Sequence, residues 1–298
     1  ASQGMRFSHA HMTVGNCMPG RNVLFSGLIS HNNKVEGFYQ VKNPEWPHMV
    51  DLMKKAGYFT GIRGKVSHST PYQPYAWDAI LDTLPDGSKA HFKNADSFGI
   101  STSDGIRKAK DSGKPFCLIV NISDPHKPFW SQVKGGEKDT NIPSRIFKSE
   151  EMPIPGFLFD DPKVREELAL YYSSVRRADD CVGKILEALD NSGEAENTVV
   201  IFLSDHGMPL PFAKTQLYHH STHSPWIIRW PGVTRSGKVD DVHMVSAVDM
   251  LPTLLDIVGA KHPGRLDGRS FLSLIRGQQQ VNREHVFKEY NENAGASR

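Results

Sequence analysis

The chain has 298 residues, 38% hydrophobic and 23% charged, with 35 Lys and Arg against 33 Asp and Glu. That length and composition suit a globular fold with a sizeable core and exclude collagen, coiled coil and long disorder. A formal charge of +2 leaves no footprint for nucleic acid, and apolar runs such as residues 199–203 are too short to span a bilayer. Three cysteines, Cys17, Cys117 and Cys181, make neither a disulfide framework nor a zinc pattern. The 14 histidines gather in short polar segments, the first sign of a site.

Apolar β-like runs alternate with amphipathic helices, the pattern of an α/β fold with a mostly parallel central sheet and helices on both faces. Residues 46–56 read as a helix with Met49, Leu52, Met53 and Ala56 on one face and Gly57 as its stop. A short strand over 58–63 leads into a loop from Gly64 to His68, and a helix follows over 101–112. The apolar run 116–122 reads as a central strand covered on both faces, followed by the Pro-stiffened segment Ser123-Asp124-Pro125-His126-Lys127-Pro128. Residues 130–161 carry no period and read as an irregular lid or rim. Residues 162–190 are the clearest helix, with Tyr171, Val175, Ala178, Val182, Ile185 and Leu189 as its core stripe. A second buried strand over 198–204 ends in Asp205-His206-Gly207. A strand over 226–230, a helix over 246–258 and a starting strand over 285–290 complete the series. Three polar clusters, at Lys65 and His68, Asp124 and His126, and Asp205 and His206, each follow a strand, where open parallel sheets bind ligands.

The densest chemistry lies in Cys17-Met18-Pro19-Gly20-Arg21, which runs into a helix through Leu24, Ser26, Gly27 and Leu28. This C-x-P-x-R spacing resembles the signature of the type I sulfatases, members of the alkaline phosphatase superfamily. Further segments follow in the family's order: Met5–His11 before the nucleophile, Gly57-Tyr58-Phe59-Thr60 through Gly64-Lys65, and Pro125-His126-Lys127-Pro128-Phe129. Ser204-Asp205-His206-Gly207, Asp249-Met250-Leu251-Pro252-Thr253-Leu254 and Leu266-Asp267-Gly268-Arg269-Ser270 complete the set. The stretch from Asp205 to Tyr218, with Lys214 inside it, and the ending Val286–Glu292 are similar to the heparan N-sulfatase (sulfamidase) branch.

The resemblance implies a formylglycine made from Cys17 by a formylglycine-generating enzyme, acting on a sulfate ester or sulfamate of a sulfated saccharide such as N-sulfoglucosamine. A hydrated aldehyde has two hydroxyls, one to attack sulfur and one to release sulfate, so one side chain serves both steps. The resemblance implies that Arg21 holds that hydroxyl and the metal-site carboxylates, and that Lys65 binds sulfate. His68 would take the proton that triggers release, and His126 with Lys214 would bind sulfate and supply the leaving group's proton. Asp205, His206 and residue 17 itself would ligate Ca2+, or Mg2+ in its place, while Asp124 and Lys127 would touch the sugar. The bare reading of Lys65, His126 and the polar His219, His220 and His223 segment is a set of solvated loop residues. Cys117 and Cys181 read as core.

Several positions depart from the family pattern. Gly20 stands where Ser or Ala is usual, and His68 lies three residues after Lys65 rather than two, as in branches resembling iduronate sulfatase. No adjacent aspartate pair precedes Cys17; Asp160-Asp161, Asp179-Asp180 and Asp240-Asp241 lie elsewhere. The resemblance thus implies a catalytic domain over 1–280 without its first strand and a C-terminal antiparallel subdomain begun over 281–298. Such a chain, truncated at both ends, is expected to hold calcium weakly, to be a poor catalyst and to expose sheet edges. An exported location, periplasmic, extracellular or lysosomal, follows from the family alone. Two other functions stay open: a phosphonate or phosphate monoester hydrolase of the same superfamily, and a non-catalytic glycan-binding homologue.

Overall fold

The computed structural model describes residues 2–132 and 139–290. In chain order its strands are β1 (Met5–His11), β2 (Phe59–Arg63), β3 (Ala79–Ile80), β4 (Phe116–Val120), β5 (Val200–Leu203), β6 (Trp226–Arg229) and β7 (Val239–Ser246). The first helices are α1 (Cys17–Ser26), α2 (Ser30–Asn33), α3 (Met49–Lys55), α4 (Val66–Ser69) and α5 (Ala95–Asp111). The rest are α6 (Pro162–Asn191), α7 (His219–Thr222), α8 (Met250–Ile257) and α9 (Leu272–Ile275).

The chain divides into two compact units. The first comprises the residues up to Tyr58, Lys65–Trp77 and those from Glu196 onward, and is built on a sheet in the order β5-β6-β1-β7. Within it β1 runs parallel to β7 and antiparallel to β6, and β5 pairs antiparallel with β6. Its core is aromatic and aliphatic: Phe7, Trp226 and Phe271 meet edge-on at 5.2 and 5.6 Å between centroids. The second unit, Phe59–Gly64 and Asp78–Ala195, has a parallel sheet in the order β3-β2-β4. Helix α5 packs on β2 and β4, and α6 packs on α5. The architecture is α/β, with parallel strand pairs in both sheets.

Several expected elements shift, each for a local reason. Helix α5 opens at Ala95 because Asn94 caps it, its side chain accepting from Ser97 N–H at 2.8 Å. The helix expected over 246–258 is instead the end of β7, a single turn and α8, because Ser246 N–H donates to the Asp249 carboxylate at 2.8 Å and breaks the run. No strand forms over 285–290. That segment is tied down by Glu289, whose carboxylate accepts from Ser30 N–H at 2.5 Å and whose N–H donates to Thr13 O. Residues 291–298 of the expected C-terminal subdomain and 133–138 of the expected rim lie outside the described residues.

The sequence reading has β4 as a central strand covered on both faces and β5 as a second buried strand. Among the described residues each is instead an edge strand, half-buried, with Phe202 41% exposed. The apolar sequence dictates a strand, but only partner strands decide whether it is central. On α6 the buried face is also rotated from the expected stripe. Val175 is exposed, while Ser173, Ser174, Arg177 and Cys181 point inward. Ser173 Oγ and Ser174 Oγ accept from Phe147 and Trp130 N–H, and Arg177 is drawn in by carboxylates.

Candidate active site

Helix α1 begins at the chemistry. The Asn16 side chain accepts from Cys17 N–H at 3.0 Å, so the helix starts with Cys17 as its first residue, at the positive end of the backbone dipoles. At its far end Gly27 takes the left-handed conformation and closes the helix. One turn after Cys17, Arg21 Nε donates to Asp205 Oδ2 at 2.9 Å. Asp205 and His206 follow β5 after Ser204, and the strand end meets the start of α1 there.

His206 fixes the polarity of the cluster. Its Nδ1 lies 2.8 Å from Gly207 O, a carbonyl that only accepts, so Nδ1 carries the proton. Its Nε2 faces Cys17 Sγ at 3.2 Å, and although burial opposes it, Asp205 and Cys17 raise the imidazole, so a second N–H on that nitrogen donates to the sulfur as a thiolate. Lys214 Nζ donates to the same sulfur at 3.6 Å. Burial pushes the Cys17 thiol up, yet hydrogen bonding to His206 and His68 outweighs it and brings the thiol down to about 5. Burial likewise opposes ionisation of Asp205, but Arg21, His206 and Lys65 hold its carboxyl well below the usual carboxylate range. Desolvation lowers Lys65, with Arg21 and Lys214 adding repulsion. Burial pushes the Cys117 and Cys181 thiols up to about 12, as core cysteines should behave.

The loop from Lys65 to His68 belongs to the same unit. Lys65 adopts a left-handed φ of 52° ahead of the single turn α4. Asn22 Nδ2, on α1, donates to His68 O at 2.9 Å and ties that turn to the helix that begins at Cys17. Phe38 packs edge-on against the His68 ring at 5.3 Å. Two glycines allow the close approach. A Cβ on Gly207 would sit 1.8 Å from His220 O, and one on Gly20 2.8 Å from Val14 O. The second contact gives a steric reason for glycine at the position where Ser or Ala is usual.

Cys17, Arg21, Lys65, His68, Asp205, His206 and Lys214 thus share one unit, where each is tied to Cys17 or Asp205. Asp124, His126 and Lys127 belong to the other. There the Asp124 side chain is fully buried, held by Arg177 at 2.5 Å and Lys93 at 3.2 Å. Lys127 pairs with Glu167 at 2.5 Å and lies over the Phe129 ring. His126 Nδ1 lies 2.6 Å from Lys127 O and so carries the proton, leaving Nε2 for other partners. Sequence reading missed Asn16, Asn22, Lys93 and Arg177. Only Asn16 had a local signal, as a capping residue before the helix.

Ligand atoms of Cys17, Asp205 and His206 lie within 4.8 Å of one another, close enough to share a divalent ion. One carboxylate, one imidazole and one sulfur are poor in oxygen for calcium, which takes about six to eight oxygen ligands. The described residues fit part of a metal site.

The strand-end site and the two sheets define a protein of the alkaline phosphatase-like class. Solved structures agree at the level of fold. BT4656, in complex with its substrate D-glucosamine-2-N,6-O-disulfate, superposes with a TM-score of 0.75 at 18% identity, over 99% of this chain and 78% of that one. The phosphonate monoester hydrolase of Agrobacterium radiobacter gives 0.72 at 18%, over 94% and 71%. Within that class residues 1–260 match the Sulfatase family model, and the chain belongs to the sulfatase family. It is 30% identical to human N-sulphoglucosamine sulphohydrolase, over 93% of this chain and 60% of that protein. It is 26% identical to arylsulfatase K of Xenopus laevis, over 94% and 61%. An ulvan-active sulfatase of Formosa agariphila is 24% identical, over 94% and 50%. The chain therefore spans half to three fifths of the length of these curated relatives. No helix among the described residues is long and apolar enough to cross a membrane.

Proposed function

We propose that this chain carries the active site of a sulfatase that hydrolyses a sulfate ester or sulfamate on a sulfated saccharide, with the nucleophile made from Cys17. One observation carries the reading: Cys17 Sγ at the start of α1 is met by His206 Nε2 and Lys214 Nζ, beside the Arg21–Asp205 pair. An oxygen in place of sulfur finds there an imidazole, an ammonium and a carboxylate, so formylglycine fits the position. Formylglycine in its hydrated form supplies one hydroxyl to attack sulfur and a second to expel sulfate.

The chain's own groups do the rest. Arg21 keeps Asp205 ionised and turned toward residue 17. Lys65 and Lys214 offset the charge of the sulfuryl oxygens, which grows in the transition state. His68 takes the proton whose loss re-forms the aldehyde and breaks the bond to sulfate. His126, by its motif position, gives a proton to the departing oxygen or nitrogen as its bond to sulfur breaks. Asp205, His206 and residue 17 are part of a divalent site, Ca2+ or Mg2+, whose remaining oxygens come from other groups. The 30% identity to an N-sulphoglucosamine sulphohydrolase favours a sulfated glucosamine, and the family favours an exported location. Asp124 and Lys127 are assigned to holding the loop of His126, because both are already paired.

The test is twofold. The peptide containing Cys17, from a host with a formylglycine-generating enzyme, should be about 18 Da lighter than the thiol form. The same material should release sulfate from a sulfated glucosamine, and Cys17→Ala should not. An unmodified thiol together with glycan binding and no turnover favours the non-catalytic homologue instead. Faster turnover of phosphonate esters than of sulfates overturns the sulfatase reading in favour of the hydrolase whose fold it shares.

A further inference from the structure

Lys93 belongs to none of the motifs, yet its side chain is 8% exposed and fully engaged. Its ammonium donates to His126 O at 3.2 Å and Pro128 O at 2.5 Å, and pairs with Asp124 Oδ1 at 3.2 Å. Three acceptors for three N–H bonds is the full capacity of the group. All three lie on the five-residue loop from Asp124 to Pro128. Asp124 is itself clamped by Arg177, through Nε at 2.5 Å and Nη2 at 3.2 Å. Arg177 spends its remaining nitrogen on Asp139 at 2.6 Å and Asn141 O at 2.8 Å. The buried charges therefore cancel, with Lys93 and Arg177 against Asp124 and Asp139. Polar groups this far from water are costly to leave unpaired, so the arrangement has one low-energy geometry.

We propose that Lys93 is the positioning residue for His126, its ammonium fixing the histidine's own carbonyl and that of Pro128 while the Asp124–Arg177 pair anchors the loop to α6. This rests on the reading of His126 as donor of the leaving group's proton, and its test is built to separate the two. Lys93→Met removes the ammonium but leaves Asp124 paired with Arg177, so the loop keeps its anchor and loses its clamp. Lys93→Arg restores donors to the carbonyls.

The structural readout is amide hydrogen exchange at His126, whose N–H donates to Ser123 O, with the amides of α1 as internal standard. The clamp predicts that Lys93→Met speeds exchange at His126 by about fivefold or more, leaves α1 unchanged, and is largely reversed in Lys93→Arg. The functional readout is leaving-group dependence. Lys93→Met should lose about tenfold more kcat/KM on a saccharide sulfate with a poor leaving group than on an activated aryl sulfate. A merely structural role lowers both substrates alike. An unchanged His126 rate in Lys93→Met, or in Lys93→Gln if the first variant does not fold, overturns the proposal. If Lys93→Met loosens His126 while His126→Ala shows no leaving-group dependence, the clamp stands and the proton-donor role falls.

Discussion

Arg21 shows how one side chain organises the site. Its Nε–H lies 2.9 Å from Asp205, and its position one turn along α1 from Cys17 follows from the helix period alone. Replacing it strands a buried carboxylate among fewer positive partners. Arg21→Met should therefore cost about 2–3 kcal/mol of stability, read from urea midpoints, and lower sulfate release about a hundredfold. A stable, active Arg21→Met would show that Lys65 and His206 alone suffice for Asp205. The residue scale also separates the cysteines. Cys17 meets a ring nitrogen and an ammonium, whereas burial with no such partners pushes Cys117 and Cys181 up to about 12.

At the scale of elements, two glycines make opposite predictions. Gly207 follows β5 and packs against α7, where a Cβ would lie 1.8 Å from a backbone carbonyl. Gly207→Ala should cost about 3 kcal/mol or more, because backbone has to move. Gly183 sits inside α6 with nothing within 4 Å of its would-be Cβ. Gly183→Ala should stabilise by about 0.5–1 kcal/mol in chemical denaturation, since it only removes unfolded-state freedom. A destabilised Gly183→Ala would mean that this stretch of α6 is more closely packed than its geometry allows.

Helix α3 carries one part of the pH dependence. His48 caps it, its ring accepting from Val50 N–H, and burial pushes the imidazole down from 6.5 to about 3. The folded state therefore resists a proton that the unfolded chain accepts. The stability this represents is complete above about pH 6.5 and is lost as pH falls toward 3, reaching about 2–3 kcal/mol at pH 4.5. His48→Asn keeps a capping acceptor and removes the titration, so its unfolding midpoint should fall less between pH 7 and 4.5. Parallel pH profiles for the two proteins would rule His48 out as the source.

At the scale of the molecule, two strands with core-like sequences are sheet edges among the described residues. Such edges present unpaired backbone groups to other chains. Phe202 on β5 is exposed, so Phe202→Lys should reduce concentration-dependent association in light scattering without lowering the thermal midpoint. Unchanged association would place the contact elsewhere.

Much of the site was legible because its spacing is local or motif-borne: Cys17 and Arg21 one turn apart, Asp205 and His206 at a strand end, Lys214 nine residues on from Asp205. The α/β class was legible from apolar runs of strand length alternating with helical periods. The role of Arg177 was hidden, since its partner Asp124 lies 53 residues away and leaves no local period. For the same reason the inward face of α6 was misread, as its apolar stripe says nothing of carboxylates reaching it from another loop. The amino-acid sequence by itself determined β2, β4, β5, β6, α3 and α6, because backbone propensity and periodic apolar side chains act over one or two turns, while β1 and β7 carried no such local signal. Only the tertiary structure decided which strands are edges, which way α6 turns and that Lys93 grips the loop of His126, because pairing and charge burial depend on groups brought together from far apart in the chain.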